Sequence, residues 1–121
     1  MTNRHVVPSS IIIGKNVRNS WSEDLGKIED VVLDLNDGRI VYAVLSFRGI
    51  LGFGAKHFAI PWEKIGLPKE DAEIETFSLN MDRNDLLNAP GFDPDNWPEI
   101  ADSSWSAGME RHYAEVINEP H

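Results

Sequence analysis

The fold is decided by residues 25–47, which read LGKIEDVVLDLNDGRIVYAVLSF. Asp37-Gly38 separates two strand-like runs within this stretch, and an Asp-Gly pair in that position is the strongest short-range signal for a β-hairpin. The stretch therefore predicts two antiparallel strands, residues 25–35 and 39–47, joined by a tight turn.

The two runs differ in how their apolar residues are spaced. In the first, Val31, Leu33 and Leu35 alternate, whereas Ile28 is one residue out of phase. A β-bulge near residues 29–30 would bring all four to the same face. The second run is apolar on both faces, which is typical of a strand that is covered on both sides. We therefore expect the second run in the middle of the sheet.

Shorter strands are predicted on either side of the hairpin. Residues 9–17, with three consecutive isoleucines, predict a first strand, and a polar turn over residues 19–24 joins it to the hairpin. Residues 57–62 predict a strand that Pro61 weakens or ends. Residues 74–81 alternate in hydrophobicity and predict a half-buried last strand.

After Met81 the apolar spacing changes from that of a strand to that of a helix. Asp82, with an acidic residue three positions later, predicts the N-cap of a short helix. Asp102 or Ser103 is suited to cap a final helix. Its apolar stripe follows at helical spacing, over Trp105, Met109, Tyr113 and Val116.

The composition is that of one ordinary globular domain. The chain has 121 residues, of which 41% are hydrophobic and 26% are charged, and it contains no cysteine. A cysteine-free sequence forms no disulfide or thiolate metal site and fits a reducing compartment. No apolar stretch approaches the roughly 20 residues that span a bilayer. We therefore expect a soluble, cytoplasmic protein without membrane insertion.

The formal net charge of −9 bears on the choice of partner. Nonspecific binding to nucleic acid or to an anionic membrane relies on an excess of Lys and Arg, which this chain does not have. The charge therefore predicts no direct nucleic-acid binding, although a surface that is merely soluble carries a similar charge.

Four segments, in their order and spacing, resemble the PRC-barrel family. They are IGKNV at 13–17, LGKIEDVVLD at 25–34, DGRIVYAVLSF at 37–47 and GILGFGAKHFAIPW at 49–62. The resemblance covers about residues 10–81. Residues 86–92, followed by Trp97-Pro98 and Trp105, are similar to an extension found after the barrel in stand-alone bacterial members.

The resemblance implies a mostly-β fold: a small, strongly bent PRC-type β-barrel with a short helix and a C-terminal helix. Residues 9–81 would form the barrel domain, and residues 82–121 a helical and loop extension packed on it. The family is known from the cytoplasmic part of the photosynthetic reaction-centre H subunit and from the C-terminal domain of a ribosome maturation factor. In both, the module contacts proteins and is not a catalyst, but neither specific role is carried over to this chain.

No motif supports catalytic, cofactor or metal chemistry. Residues 49–54 are rich in glycine, but a phosphate-binding loop leads into a helix and a strand is predicted here. Residues 34–38 resemble the start of a calcium loop, yet Gly38 falls at the fifth position instead of the sixth. The four histidines lack metal-ligand spacing. We therefore predict no catalytic residues, no cofactor and no metal site.

Two apolar features are candidates for a protein interface. A glycine-rich connection carries three large apolar side chains, which either fold onto the core or meet a partner. The stripe of the final helix either packs on its own domain or is shared across a homodimer. The candidate interface residues are Ile50, Leu51, Phe53, Trp105, Met109 and Tyr113. Trp62, Trp97 and Trp105 likewise either close the ends of the barrel or anchor an interface.

The function expected from the sequence is that of a noncatalytic protein-interaction or assembly module acting as a homodimer. A ribosome-assembly accessory factor is the alternative that the ribosome-factor resemblance suggests. A small-ligand-binding protein or an enzyme is less favoured, because either needs a pocket of convergent polar groups that the sequence does not indicate. The sequence does not identify the protein partner.

Overall fold

A computed structural model describes residues 6–47, 56–68 and 74–117 of the chain. These residues contain one mixed sheet whose strands lie in the order β4-β3-β2-β1-β5, antiparallel except for the parallel pair β1 and β5. The strands are β1 (Asn16–Arg18), β2 (Asp24–Asp34), β3 (Arg39–Phe47), β4 (Lys56–Pro61) and β5 (Thr76–Ser78). The helices are α1 (Ser9–Ile12), α2 (Arg83–Leu87) and α3 (Ser103–Val116), and a 3₁₀ turn spans Trp62–Lys64.

The hairpin predicted from residues 25–47 is confirmed, because β2 and β3 pair in antiparallel fashion on either side of Asp37-Gly38. The register shifts between Ile28 and Asp30, where the sequence predicts a bulge. Ile28 is fully buried and Val31 packs against the same core, so the bulge aligns these two side chains as expected.

The far end of the hairpin departs from the expected alternation. The register shifts a second time, between Val32 and Leu33. Leu33 and Leu35 are 51% and 90% exposed, whereas the pattern predicts that both point inward. The two-residue period holds only while the pairing is regular, and the second irregularity interrupts it. This end of the hairpin therefore presents apolar side chains to solvent.

β3 is an interior strand, flanked by β2 and β4, although the middle strand of the sheet is β2 and not β3 as expected. Residues 42–45 of β3 are all buried, as expected of a strand covered on both sides. Ala43 and Leu45 belong to the main hydrophobic core. Tyr42 meets the indole of Trp105 on α3, with ring centroids 5.4 Å apart.

The first predicted strand is wrong for most of its length. Ser9–Ile12 form a single helical turn after Pro8, and the strand is confined to Asn16–Arg18. The amides of Ile11 and Ile13 donate to the carbonyls of Pro8 and Ser9 at 3.0 Å, which fixes the turn. Local backbone hydrogen bonds have outweighed the β-propensity of the isoleucine run in this segment.

The sheet is not closed, so the strongly bent barrel expected from the resemblance is supported only as a mostly-β, five-stranded fold. Pro61 ends β4, and the chain enters the 3₁₀ turn. After this turn, an isolated antiparallel bridge pairs Gly66 with Ser78 of β5. In the described ranges, no ladder joins the edge strands β4 and β5.

The two helices that follow the sheet begin where the sequence predicts. The carboxylate of Asp82 accepts the amide of Asn84 at the start of α2. Of the two candidate caps for α3, Asp102 is used, and it accepts the amides of Ser104 and Trp105. No helix among the described residues is both long and apolar enough to cross a bilayer.

Gly26 provides a test of how tightly β2 approaches β3. Its φ is +104°, and a Cβ at this position would overlap the carbonyl oxygen of Ser46 on the neighbouring strand. Gly26→Ala should lower the free energy of unfolding by roughly 2–4 kcal/mol, because backbone strain and a steric clash add together. Urea denaturation measures the change.

Gly38→Ala is the matched control for this measurement. Gly38 also has a positive φ, of +75°, but nothing lies within 4 Å of its added Cβ. The control should therefore lose only about 1 kcal/mol of stability, the cost of the left-handed backbone. Equal losses in the two variants would contradict a close β2–β3 approach at Gly26.

Candidate functional site

The six candidate interface residues divide into three groups. Ile50, Leu51 and Phe53 lie outside the described residues. Trp105 and Met109 are partly buried on α3. Tyr113 is fully buried in the main core.

The apolar stripe of α3 packs on the chain's own sheet. Trp105 contacts Tyr42 of β3, Met109 packs against the core, and Tyr113 and Ile117 lie within it. Of the two alternatives left open by the sequence, the described side chains therefore fit packing on the same domain. Tyr113 is not accessible to a partner, because it is buried in the hydrophobic core of its own domain. The side chain of Val116 lies outside those described.

The tryptophans differ in their exposure. Trp62 packs against the core beside Phe77, with ring centroids 6.4 Å apart. Trp97 is exposed, although its Nε1 donates to the carbonyl of Pro94 at 3.0 Å and its ring contacts Phe92. Trp21, which the sequence analysis did not single out, is 60% exposed in the turn between β1 and β2.

The first open surface is a groove between the tip of the β2–β3 hairpin and α3, here called the hairpin groove. Its volume is about 560 Å³. The residues that define it are Leu33, Leu35, Val41, Tyr42, Ser106 and Glu110. Leu33, Leu35 and Val41 are exposed to solvent. This surface is not expected from the sequence, because the alternation of residues 31–35 predicts that Leu33 and Leu35 point inward.

A signal for the exposed leucine at the tip was present in the sequence. Leu35 directly precedes the Asn36-Asp37-Gly38 turn. A side chain at the end of a strand beside a tight turn has few neighbours to cover it, whatever the alternation predicts. Position relative to the turn was therefore the better guide to its exposure.

Tyr42 and Glu110 give the hairpin groove its electrostatic character. Burial raises the pKa of the Tyr42 phenol, the negative charge of Glu110 raises that pKa further, and a hydrogen bond with Ser106 lowers it. The Tyr42 phenol is therefore neutral at physiological pH and lies beside Glu110. A neutral phenol, a carboxylate and open apolar side chains together suit binding of an amphipathic, cationic group.

The second open surface is a cleft of about 510 Å³, here called the apolar cleft. The residues that define it are Val6, Val7, Trp62, Leu67, Ile74 and Phe77. Val6 and Leu67 are largely exposed, Leu67 at 61%. Among the described residues that line the cleft, none is ionisable. This surface therefore differs from the hairpin groove, which contains carboxylates.

Three buried polar atoms have no hydrogen-bond partner among the described residues: His57 Nδ1, His112 Nε2 and Tyr113 Oη. His57 packs edge-on against Phe92 and Trp97, and its backbone pairs with that of Phe92. This contact fastens the segment after α2 to β4. Within residues 6–47, 56–68 and 74–117, no three His, Cys, Asp or Glu side chains are grouped to hold a metal ion.

Comparison with known proteins adds one finding to this geometry. The family model of the PRC-barrel domain matches residues 5–79, more than half of the chain. The chain belongs to the PRC-barrel domain family. The matched segment contains all five strands and the hairpin tip, whereas α3 follows it. No curated protein matches the chain.

The effect of Glu110 on Tyr42 can be measured by titration. The chain has two tyrosines, so in a Tyr113→Phe background the phenolate absorbance at 295 nm reports Tyr42 alone. Glu110→Gln should lower the pKa of Tyr42, because it removes the negative charge that disfavours the phenolate. The decrease should be larger at low salt, since salt screens the charge.

Glu115→Gln is the control, because Glu115 is an exposed carboxylate of the same helix and does not line the groove. It should leave the titration unchanged. A raised folded-state pKa also means that the unfolded chain ionises first, so stability should fall as the pH rises above about 10. An unaltered Tyr42 titration in Glu110→Gln would contradict the assigned charge interaction.

Proposed function

We propose that this PRC-barrel protein is a noncatalytic protein-interaction or assembly module that acts as a homodimer. The observation that carries the proposal is the apolar cleft, which exposes large apolar side chains and whose lining, within the described part of the chain, contains no ionisable residue. A contiguous exposed apolar patch is uncommon on a soluble monomer, and where one occurs it often marks a site of protein contact. Membership of the family agrees with an interaction role.

The chemistry of the apolar cleft suits contact between two copies of the chain. In a twofold homodimer the same patch lies on both subunits, so any charge in the patch would face its own like charge. A patch without ionisable groups avoids this repulsion, and homodimer interfaces are more apolar than other protein contacts. Ile50, Leu51 and Phe53, with the partly exposed Trp105 and Met109, are proposed as further contact residues.

The chain's own extension is proposed to complete the module. In this division residues 9–81 form the barrel domain, and residues 82–121 form a helical and loop extension packed on it. The support is that Leu86, Ala89, Tyr113 and Ile117 share one core cluster with the strands. We propose the cytoplasm as its location, because the cysteine-free sequence suits a reducing compartment.

Sedimentation equilibrium tests the homodimer. The wild-type chain should sediment at twice its 13.6 kDa mass at high micromolar concentration, through an interface of at least roughly 1,000 Å². Leu67→Asp should shift it toward the monomer, because a charge buried at an apolar interface costs several kcal/mol. Phe53→Asp should do the same if the loop takes part.

Trp21→Asp is the control, since Trp21 is an exposed apolar residue outside the apolar cleft. Trp21→Asp should sediment at the same dimer mass as the wild-type chain. Circular dichroism checks that each variant is folded. Leu67→Asp should fold, because Leu67 is exposed in the single chain. A wild-type chain that remains a monomer at high micromolar concentration would overturn the homodimer.

Removal of residues 82–121 tests the proposed division. The shortened chain should lose cooperative thermal unfolding, because it leaves uncovered the core positions that Leu86 and Tyr113 fill. Differential scanning calorimetry measures the transition. A shortened chain that unfolds as sharply as the full chain would show that residues 9–81 do not need the extension.

A further inference from the structure

Acidic side chains border the hairpin groove. Asp34 and Glu110 line the groove itself. A smaller depression of about 410 Å³ adjoins it, shares Val41 and Glu110 with it, and adds Asp37 and Glu63. Among the described residues that line these two hollows, there are four carboxylates and one cationic side chain, Arg39. The surface therefore favours a cationic partner.

A hydrogen-bonded turn fixes the backbone beside the apolar side chains of the groove. Leu35 is 90% exposed, Leu33 51% and Val41 37%. The carboxylate of Asp34 accepts the amide of Asn36 at 2.9 Å, and its carbonyl accepts the amide of Gly38 at 2.7 Å. A backbone fixed in this way lowers the ordering cost of presenting Leu35 to a partner.

The charge of the groove excludes several occupants. A second copy docked through the same groove would place Asp34 and Glu110 against the same two carboxylates, which costs binding energy. Nucleic acid and anionic membranes are repelled for the same reason, on a chain whose net charge is −9. A partner protein that carries positive charge beside apolar side chains is not repelled by the carboxylates of the groove.

We propose that the hairpin groove binds a basic, amphipathic segment of a partner protein, whose apolar side chains contact Leu33, Leu35 and Val41 while its Lys or Arg residues face Asp34 and Glu110. The inference rests on the proposed interaction function and names the class of partner for a surface separate from the apolar cleft. An amphipathic helix laid into a groove is an established mode of peptide recognition.

The two parts of the groove contribute differently to binding. Exposed leucines supply apolar area that the partner removes from water. The carboxylates increase the association rate and select against acidic segments, and their effect weakens as salt rises. Affinity should therefore depend on the apolar residues at all salt concentrations and on Glu110 mainly at low salt.

The test uses the full chain and a panel of fluorescein-labelled helical peptides. Each peptide carries Leu, Ile or Phe at positions i, i+3, i+4 and i+7, with Lys or Arg on the flanks. Fluorescence anisotropy at low salt should detect binding by members of the basic panel. The same peptides with Glu in place of Lys or Arg should not bind.

Substitutions then locate the binding surface. Leu35→Asp and Glu110→Lys should each weaken binding of the tightest-binding basic peptide by roughly tenfold or more, which is the effect expected from loss of one well-placed contact. Glu115→Lys and Trp21→Asp are matched controls for charge and for exposed apolar area, since both residues are exposed and outside the groove. They should change the affinity less than twofold.

Three outcomes would overturn the inference: no binding across the basic panel at millimolar peptide, equal binding of basic and acidic panels, or equal losses in groove and control variants. Sedimentation of the same samples keeps the two proposals apart. A chain that dimerises through the apolar cleft without binding basic peptides refutes the groove assignment alone. A monomer that still binds them refutes the homodimer alone.

Discussion

The antiparallel ladder between β2 and β3 is the constraint on which the rest of the structure depends. At one end the ladder inserts Ile28, Ala43 and Leu45 into the core, and Gly26 allows the strands to approach closely there. At the other end the pairing shifts and the hairpin exposes Leu33 and Leu35. Each additional residue of a strand pair adds backbone hydrogen bonds, so a long ladder supports a tip that has little core of its own. Stability and a binding surface therefore come from one element.

The final helix, α3, likewise contributes both to the core and to the hairpin groove. Tyr113 and Ile117 fill the core, while Glu110 and Ser106 form a wall of the hairpin groove. A helix places residues three or four apart on one face, so a single stripe packs inward while its neighbours remain available. The extension thus shapes the groove as a consequence of completing the core, and the burial that raises the pKa of Tyr42 occurs where helix and strand meet.

The sequence predicted those features that short-range chemistry determines. The Asp37-Gly38 turn, the bulge after Ile28 and the cap at Asp102 each depend on a few neighbouring residues, and all are present. The isoleucine run before Gly14 was misassigned, because local hydrogen bonds after Pro8 form a helical turn from residues with strand propensity. The exposed hairpin tip was missed because alternation identifies a face without revealing where the core ends. The candidate site is a property of that boundary, so alternation alone could not place it, and only the position of Leu35 beside the turn indicated its exposure.

The two open surfaces differ in a way that lets both act at once. Among the described residues, the lining of the apolar cleft has no ionisable side chain and suits contact with its own copy, whereas the hairpin groove carries Asp34 and Glu110 and disfavours such contact. The cleft and the groove share none of their described lining residues, so a dimer built on the cleft would not use the groove lining and would carry two grooves related by the twofold axis. A partner with two basic segments, or two partner chains held together, would then bind the second groove in an intramolecular step. Effective concentrations in the millimolar range turn such weak individual contacts into stable assembly. Weak single-groove affinity is thus compatible with an assembly function, provided that the dimer exists.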